Sequence, residues 1–307
     1  MRSEQTRPRA LITGLHGFTG RYLAQELGAA GYQVYGTAHG QESSGQGVYT
    51  VDLGDRQRLQ QVVAEVQPHV VAHLAAISFV AHGDAAAIYR TNVVGTRNLL
   101  EALATLATPP EAVLVASSAN IYGNTRTEVI SEMEPAQPAN DYGISKLAME
   151  HVARLWMDRL PIIVTRPFNY TGVGQAENFL LPKIISHYRQ RAGLIELGNL
   201  DVARDFSDVR TVVQAYTRLL QRAPAGQTFN ICSGRPHTLH QILDMVAELA
   251  GYKMEVRINP AFVRANEVKT LTGDPDKLRA CIGELPQISL RDTLAWMLDA
   301  GAKGELN

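Results

Sequence analysis

The chain has 307 residues, 45% of them hydrophobic and 19% charged, with a formal net charge of −1. That length suffices for one large α/β domain or two lobes, and the composition is ordinary for a packed globular chain. A charge so near zero gives no global positive field to recruit nucleic acid or an anionic membrane, so an anionic ligand must be met by local arginines and helix N-termini.

In chain order, residues 10–13 form a short apolar run closed by Gly14, and residues 21–27 read as a helix ending at Gly28 and Gly31. Residues 33–37 read as a second strand and, after a Gly/Ser-rich loop, 48–51 as a third. A helix over 55–66 stops before Pro68, a buried strand follows over 70–75, and a long helix over 85–106 stops before Pro109 and Pro110. A strand over 112–118, a helix over 141–160 and a strand over 162–166 complete the series. Strands alternating with helices of this length predict an α/β fold, a Rossmann-type doubly wound parallel sheet.

From Phe168 the loops lengthen and the elements shorten, with helices near 182–192, 209–222 and 239–250. The expectation is a dinucleotide-binding domain over 1–168, joined by a helix at 207–224, and a smaller C-terminal α/β substrate lobe over 169–307. A ligand cleft is expected between them. Residues 1–9 have no apolar core, and the longest apolar stretch, 70–81, carries His73 and Ser78 and is too short to span a bilayer. Cys232 and Cys281 make neither a disulfide framework nor a Cys-x2-Cys metal pair. A cytoplasmic protein with no metal site is expected; His237 and His240 read as ordinary residues at a helix start.

The first strand-to-helix turn reads Gly14-Leu15-His16-Gly17-Phe18-Thr19-Gly20. Glycines three apart at this place let backbone approach a pyrophosphate at a helix N-terminus, so Gly14, Gly17, Phe18, Thr19 and Gly20 are candidate cofactor contacts. The second strand ends in Tyr35-Gly36-Thr37-Ala38-His39-Gly40 with no acidic residue for ribose hydroxyls, which favours NADP over NAD, although no arginine stands there to grip a ribose phosphate. Asp52-Leu53, after the third strand, could flank an adenine, or Asp52 could simply cap a turn.

Tyr142 and Lys146 stand at i, i+4, so phenol and ammonium project from one helix face. A nearby ammonium favours the phenolate and lowers the tyrosine pKa, and such a tyrosine can exchange a proton with a carbinol oxygen as hydride moves at carbon. Ser118 arrives at the carboxyl end of its strand, where open α/β sheets place ligands, and can hydrogen-bond the same oxygen. Lys146 would bridge the ribose of a nicotinamide as well as tune the phenol.

This constellation resembles the extended short-chain dehydrogenase/reductases, which act on nucleotide sugars. The resemblance runs through the glycine turn, Asp52-Leu53, Leu74-Ala75-Ala76, Asn92 to Thr96, Ser117-Ser118, Tyr122-Gly123, Tyr142-x3-Lys146, Arg166 to Asn169 and Arg204 to Asp208. It implies catalysis by Ser118, Tyr142 and Lys146, cofactor contacts at Asp52, Leu53, Leu74, Ala75 and Ala76, and a structural role for Asn92. It also implies a homodimer built through a four-helix bundle. Arg204 and Arg264 stand where the family holds a diphosphate; an ion pair of Arg204 with Asp205 or Asp208 is the competing reading. Asn120, Asn169, Asn178 and Phe179 are further candidates for the substrate side.

Residues 166–175 and 197–206 resemble the branch that reduces GDP-4-dehydro-6-deoxy-D-mannose to GDP-D-rhamnose, so a GDP-linked substrate is favoured. Dehydratases of the family set an acid beside the Ser/Thr to protonate a departing hydroxyl. Here Ala119 and Asn120 follow Ser118, and neither can be a general acid. The expected function is therefore NAD(P)H-dependent reduction of a nucleotide-linked 4-keto-6-deoxyhexose. The alternatives are a 4-epimerase with tightly bound NAD and a dinucleotide sensor without catalysis.

Overall fold

The computed structural model describes residues 7–40, 46–78, 83–262 and 270–300. The first half runs β1 (Arg9–Thr13), α1 (Phe18–Ala29), β2 (Gln33–Ala38), β3 (Val48–Thr50), α2 (Arg56–Val66), β4 (Val70–His73), α3 (Ala85–Tyr89), α4 (Thr96–Leu103), β5 (Ala112–Ala116), α5 (Asp141–Arg154) and β6 (Ile162–Pro167). The second runs β7 (Asn169–Thr171), α6 (Leu180–Arg189), β8 (Leu194–Leu197), β9 (Ala203–Asp208), α7 (Val209–Arg222), β10 (Thr228–Ile231), β11 (Pro236–Thr238), α8 (Leu239–Ala250), β12 (Glu255–Ile258), β13 (Thr270–Leu271), α9 (Asp276–Ile282) and α10 (Leu290–Asp299).

Among the described residues, seven parallel strands lie side by side in the order β10-β6-β5-β4-β1-β2-β3. The strands β4 and β5 are apolar at almost every position because both faces are covered. Val212, Tyr216 and Leu219 recur at the helical period on α7, and they pack with Leu23 and Leu27 of α1 over one face. Leu59 and Val62 of α2, Leu99 and Leu103 of α4 and Met149 of α5 cover the other. Helices on both faces of a parallel sheet make the Rossmann-type fold that the alternation predicts. Strand β10 comes from well beyond residue 168 and closes the sheet edge beside β6, a return that short apolar runs do not announce.

The C-terminal region is a separate α/β unit. Strand β9 pairs with β11, β13 and β7, and β8 pairs with β12. Helices α6, α8 and α10 bury Ile184, Ile242, Val246 and Leu294 in a core of their own. Buried Asp205 on β9 accepts from the amides of Ser233, Gly234 and Gly273 and from the Ser233 hydroxyl, pinning these loop residues to one strand.

Several boundaries differ from the periodicity: α5 ends at Arg154 rather than 160, β4 at His73 rather than 75 and α4 at Leu103 rather than 106. Three further differences have a plain local reason. Helix α1 starts at Phe18 rather than 21, directly on the glycine turn. The helix expected over 85–106 is interrupted by a π turn, Arg90–Gly95, which carries Asn92 inward. The strand expected to reach Ser118 stops at Ala116, because the Ser118 hydroxyl caps a 3-10 turn over Ala119–Tyr122. No helix among the described residues is long and apolar enough to cross a membrane.

Candidate active site

The glycine turn closes between the ends of β1 and β4. Gly14 has φ +75°, and a Cβ there would come within 3.0 Å of Ala75 backbone; one on Gly20 would lie 2.2 Å from the Gly14 carbonyl oxygen. Only glycine allows this approach of turn, helix and neighbouring strand. Gly17, the N-cap of α1, has no side chain to satisfy the first-turn amides, so Phe18, Thr19 and Gly20 present the open positive end of a helix. That arrangement fits a dinucleotide pyrophosphate. Leu74 and Ala75 border the turn: their amides bond the Thr13 carbonyl oxygen and the Thr13 hydroxyl at 3.3 and 3.2 Å. Ala76 follows them, half-buried.

At the end of β3, Asp52 is exposed and its carboxylate accepts from the Gly54 amide at 2.7 Å, the turn role. Leu53 is buried against Gly95 at the head of α4. Its carbonyl oxygen accepts from the Asn98 side chain at 2.9 Å.

Ser118, Tyr142 and Lys146 come together, all nearly enclosed at 5%, 8% and 3% exposure. Asn140 caps α5 through the Gly143 amide at 2.8 Å. Gly143 lets the first turn of α5 press onto the 3-10 turn, since a Cβ there would lie 2.7 Å from the Asn120 carbonyl oxygen. Contact this close brings Tyr142 to Ser118. The Ser118 oxygen accepts from the Asn120 amide and side-chain nitrogen, both at 3.1 Å, which leaves its hydroxyl proton for the hydrogen bond to Tyr142.

Lys146 donates to the Ala116 carbonyl oxygen at 2.8 Å and sits 5.9 Å from the Tyr142 ring centre. Burial pulls its pKa down to about 8, against the opposing charge of Glu150 one turn further along α5. Burial pushes the Tyr142 phenol above its ordinary range, and the Ser118 hydrogen bond only partly offsets that. This corrects the expectation that the ammonium lowers the tyrosine: the cost of placing a phenolate in an enclosed site is the larger effect.

The rest of α5 is held from behind. Arg166 on β6 grips Glu150 through two hydrogen bonds of 2.9 and 2.8 Å, and also reaches the Tyr122 hydroxyl at 3.0 Å. Tyr122 donates to buried Asn230 of β10 at 2.7 Å. Breaking such a buried pair from one side costs about 3–5 kcal/mol, so Arg166 serves the architecture of the site. Asn92 takes the structural role expected of it: its side chain brackets the Ile77 backbone at 2.9 and 3.1 Å and donates to Ser145 at 3.0 Å.

Of the residues expected to meet substrate, Asn169 lies on β7 and donates to the Asp205 carbonyl oxygen at 3.4 Å. Asn178 is exposed, and Phe179 is the N-cap of α6. Arg204 is half-buried on β9, opposite His237 of β11, and bonds its own strand at Ala203. Asp208 is engaged by Arg210 at 2.7 Å and by Thr293 at 2.8 Å. Arg264 lies outside the described residues. Tyr170 is one residue that pattern reading passed over: its hydroxyl meets Thr19 at 2.8 Å, and its ring stacks on Phe18 with centres 6.1 Å apart. Its place directly after Asn169, at the carboxyl end of the sheet, was the available signal.

A family model described as GDP-mannose 4,6 dehydratase matches residues 11–297. GDP-6-deoxy-D-talose 4-dehydrogenase of Aggregatibacter actinomycetemcomitans is 35% identical, over 90% of this chain and 91% of that protein. GDP-6-deoxy-D-mannose reductase of Pseudomonas aeruginosa is 32% identical, over 94% and 96%. Among solved structures, a candidate epimerase of Burkholderia cenocepacia J2315 is 52% identical with TM-score 0.90, over 96% and 99% of the two chains. RMD from Pseudomonas aeruginosa, complexed with NADPH, is 30% identical with TM-score 0.83, over 96% and 98%. The UDP-glucose 4-epimerase of Thermus thermophilus, complexed with NAD, is 26% identical with TM-score 0.86, over 96% and 99%.

Proposed function

The chain belongs to the GDP-mannose 4,6 dehydratase family of NAD(P)-dependent, nucleotide-sugar-converting enzymes, and on that footing we propose that it moves hydride at C4 of a GDP-linked hexose. The observation that carries the proposal is the enclosed Ser118–Tyr142–Lys146 set, with Ser118 just past the carboxyl end of β5, in the same parallel sheet whose β1 leads into the glycine turn. A bound nicotinamide would supply or accept the hydride. In the reductive direction Tyr142 gives its phenolic proton to the oxygen on C4 while Ser118 hydrogen-bonds that oxygen. In the oxidative direction the same proton returns. Lys146 holds positive charge beside the phenol, and Arg204 and Arg264 are assigned to the diphosphate.

The dehydration in the family's name is not the reaction proposed. It needs an acid near Ser118 for the departing hydroxyl, and Ala119 and Asn120 stand there instead; the Asn120 amide is committed to Ser118.

Two outcomes remain for the shared step. Epimerisation at C4 with retained NAD has the broader support among the solved structures, which include UDP-glucose 4-epimerases in complex with NAD. Net reduction, giving GDP-D-rhamnose from GDP-4-dehydro-6-deoxy-D-mannose, is the second reading. It is supported by the 4-dehydrogenase and reductase relatives and by a phenol that burial keeps protonated, ready to give a proton. Cofactor stoichiometry separates them. An epimerase interconverts GDP-linked C4 epimers without added dinucleotide, whereas a reductase consumes one NADPH or NADH per product identified by NMR. Neither activity on any GDP-linked 4-keto or 4-hydroxy hexose would sink the shared step and bring the non-catalytic sensor forward.

A further inference from the structure

His73, the last residue of β4, is 2% exposed, and each of its ring nitrogens meets a threonine hydroxyl. Nδ1 lies 2.7 Å from Thr13 Oγ1, and Nε2 lies 2.8 Å from Thr96 Oγ1. The direction of each bond follows from counting protons. Thr96 gives its hydroxyl proton to the Asn92 carbonyl oxygen at 2.7 Å, so towards His73 it can only accept. Nε2 therefore carries a hydrogen. Burial, aided by the charge of Lys146, holds the imidazole pKa down to about 3, so the ring is neutral and has that one N–H. Nδ1 must accept, and Thr13 must donate to it. The Thr13 oxygen in turn accepts from the Ala75 amide at 3.2 Å.

The result is a one-way chain: Ala75 N–H to Thr13, Thr13 to His73, His73 to Thr96, Thr96 to the Asn92 carbonyl oxygen. Its first members wall the glycine turn, because Thr13 immediately precedes Gly14, and Gly14 packs on Ala75. Its last member faces the catalytic helix, since the Asn92 side chain donates to Ser145 at 3.0 Å and Ser145 donates to the Tyr142 carbonyl oxygen at 2.7 Å. Two runs of hydrogen bonds, joined through the covalent frame of Asn92, thus connect the cofactor turn to the backbone of Tyr142.

We propose that His73 is a positioning residue whose Nε2–H tautomer ties the Thr13–Gly14 turn to the Asn92 segment, fixing Tyr142 relative to the bound dinucleotide. It touches neither substrate nor the reacting atoms. The inference rests on the dinucleotide site alone and stands whether the reaction is epimerisation or reduction.

Two measurements without substrate test it. Thr96→Val keeps the shape of a fully buried side chain and removes the acceptor of the His73 N–H; Thr96→Ser restores it. Thr96→Val is expected to weaken NADPH and NADH binding about tenfold, the scale of one buried donor left unpaired, and Thr96→Ser to bind like the parent. A folded Thr96→Val with parental dinucleotide affinity would reduce the chain to a structural brace and overturn the proposal. Should Thr96→Val fail to fold, ¹⁵N NMR of the imidazole in the parent protein decides. A neutral ring protonated at Nε2 from about pH 5 to about pH 9 is expected; an Nδ1–H tautomer, or a ring that titrates in that window, would overturn it.

Discussion

At the scale of single residues, burial acts in opposite senses on two groups one helical turn apart. It raises the Tyr142 phenol, whose charged form is the phenolate, and lowers Lys146, whose charged form is the ammonium, to about 8. At neutral pH the pair is a protonated phenol beside a largely charged amine. Turnover is therefore expected to fall as pH rises through about 8 and the ammonium is lost. The stability contribution of Lys146 has the other sign. Its folded pKa lies below the ordinary 10.5, so the fold favours the neutral amine, and that contribution grows between about 8 and 10.5. A pH–rate profile with melting temperatures at each pH checks both; a rate flat through that window would contradict the assignment of Lys146. The spacing of Tyr142 and Lys146 was legible in the sequence because helix geometry fixes it. The direction of the tyrosine shift was not, since enclosure is a property of the packed site. Thr13, His73 and Thr96 were invisible as a set because 60 residues separate the first two and 23 the others.

At the scale of elements, the sheet was legible because buried parallel strands are apolar runs between glycine and proline stops. The interruptions were not. The π turn that aims Asn92 and the 3-10 turn that aims Ser118 each carry side-chain hydrogen bonds, linking Asn92 with Ile77 and Ser145 and Asn120 with Ser118, which periodicity does not register. Helix partnering outside the monomer is the other element-scale question. Val94 on the π turn and Ile144 on α5 leave 48% and 43% of their surface exposed on neighbouring helices, and Tyr89 of α3 bonds Asp141 of α5 at 2.9 Å to hold those helices side by side. Two such pairs would bury these side chains in a four-helix bundle. Sedimentation is expected to show a dimer at micromolar concentration and a monomer for the Val94→Asp, Ile144→Asp double variant. A monomeric parent protein would contradict it.

At the scale of the whole molecule, the first half of the chain builds the cofactor platform, and β10 returns from the second half to complete its sheet. That return was not legible because β10 is four residues long and its partner β6 lies far earlier in the chain, a pairing set by tertiary packing. The same return links the site to the second half, through Asn230, Tyr122, Arg166 and Glu150. The central claim is that this architecture serves proton transfer by Tyr142 during hydride transfer at a sugar carbon. The most direct measurement is turnover of a GDP-linked 4-keto-6-deoxyhexose by Tyr142→Phe, alongside its dinucleotide affinity. Loss of turnover by about 10²–10⁴ with dinucleotide affinity nearly unchanged is the predicted result; turnover equal to that of the parent protein would contradict the claim.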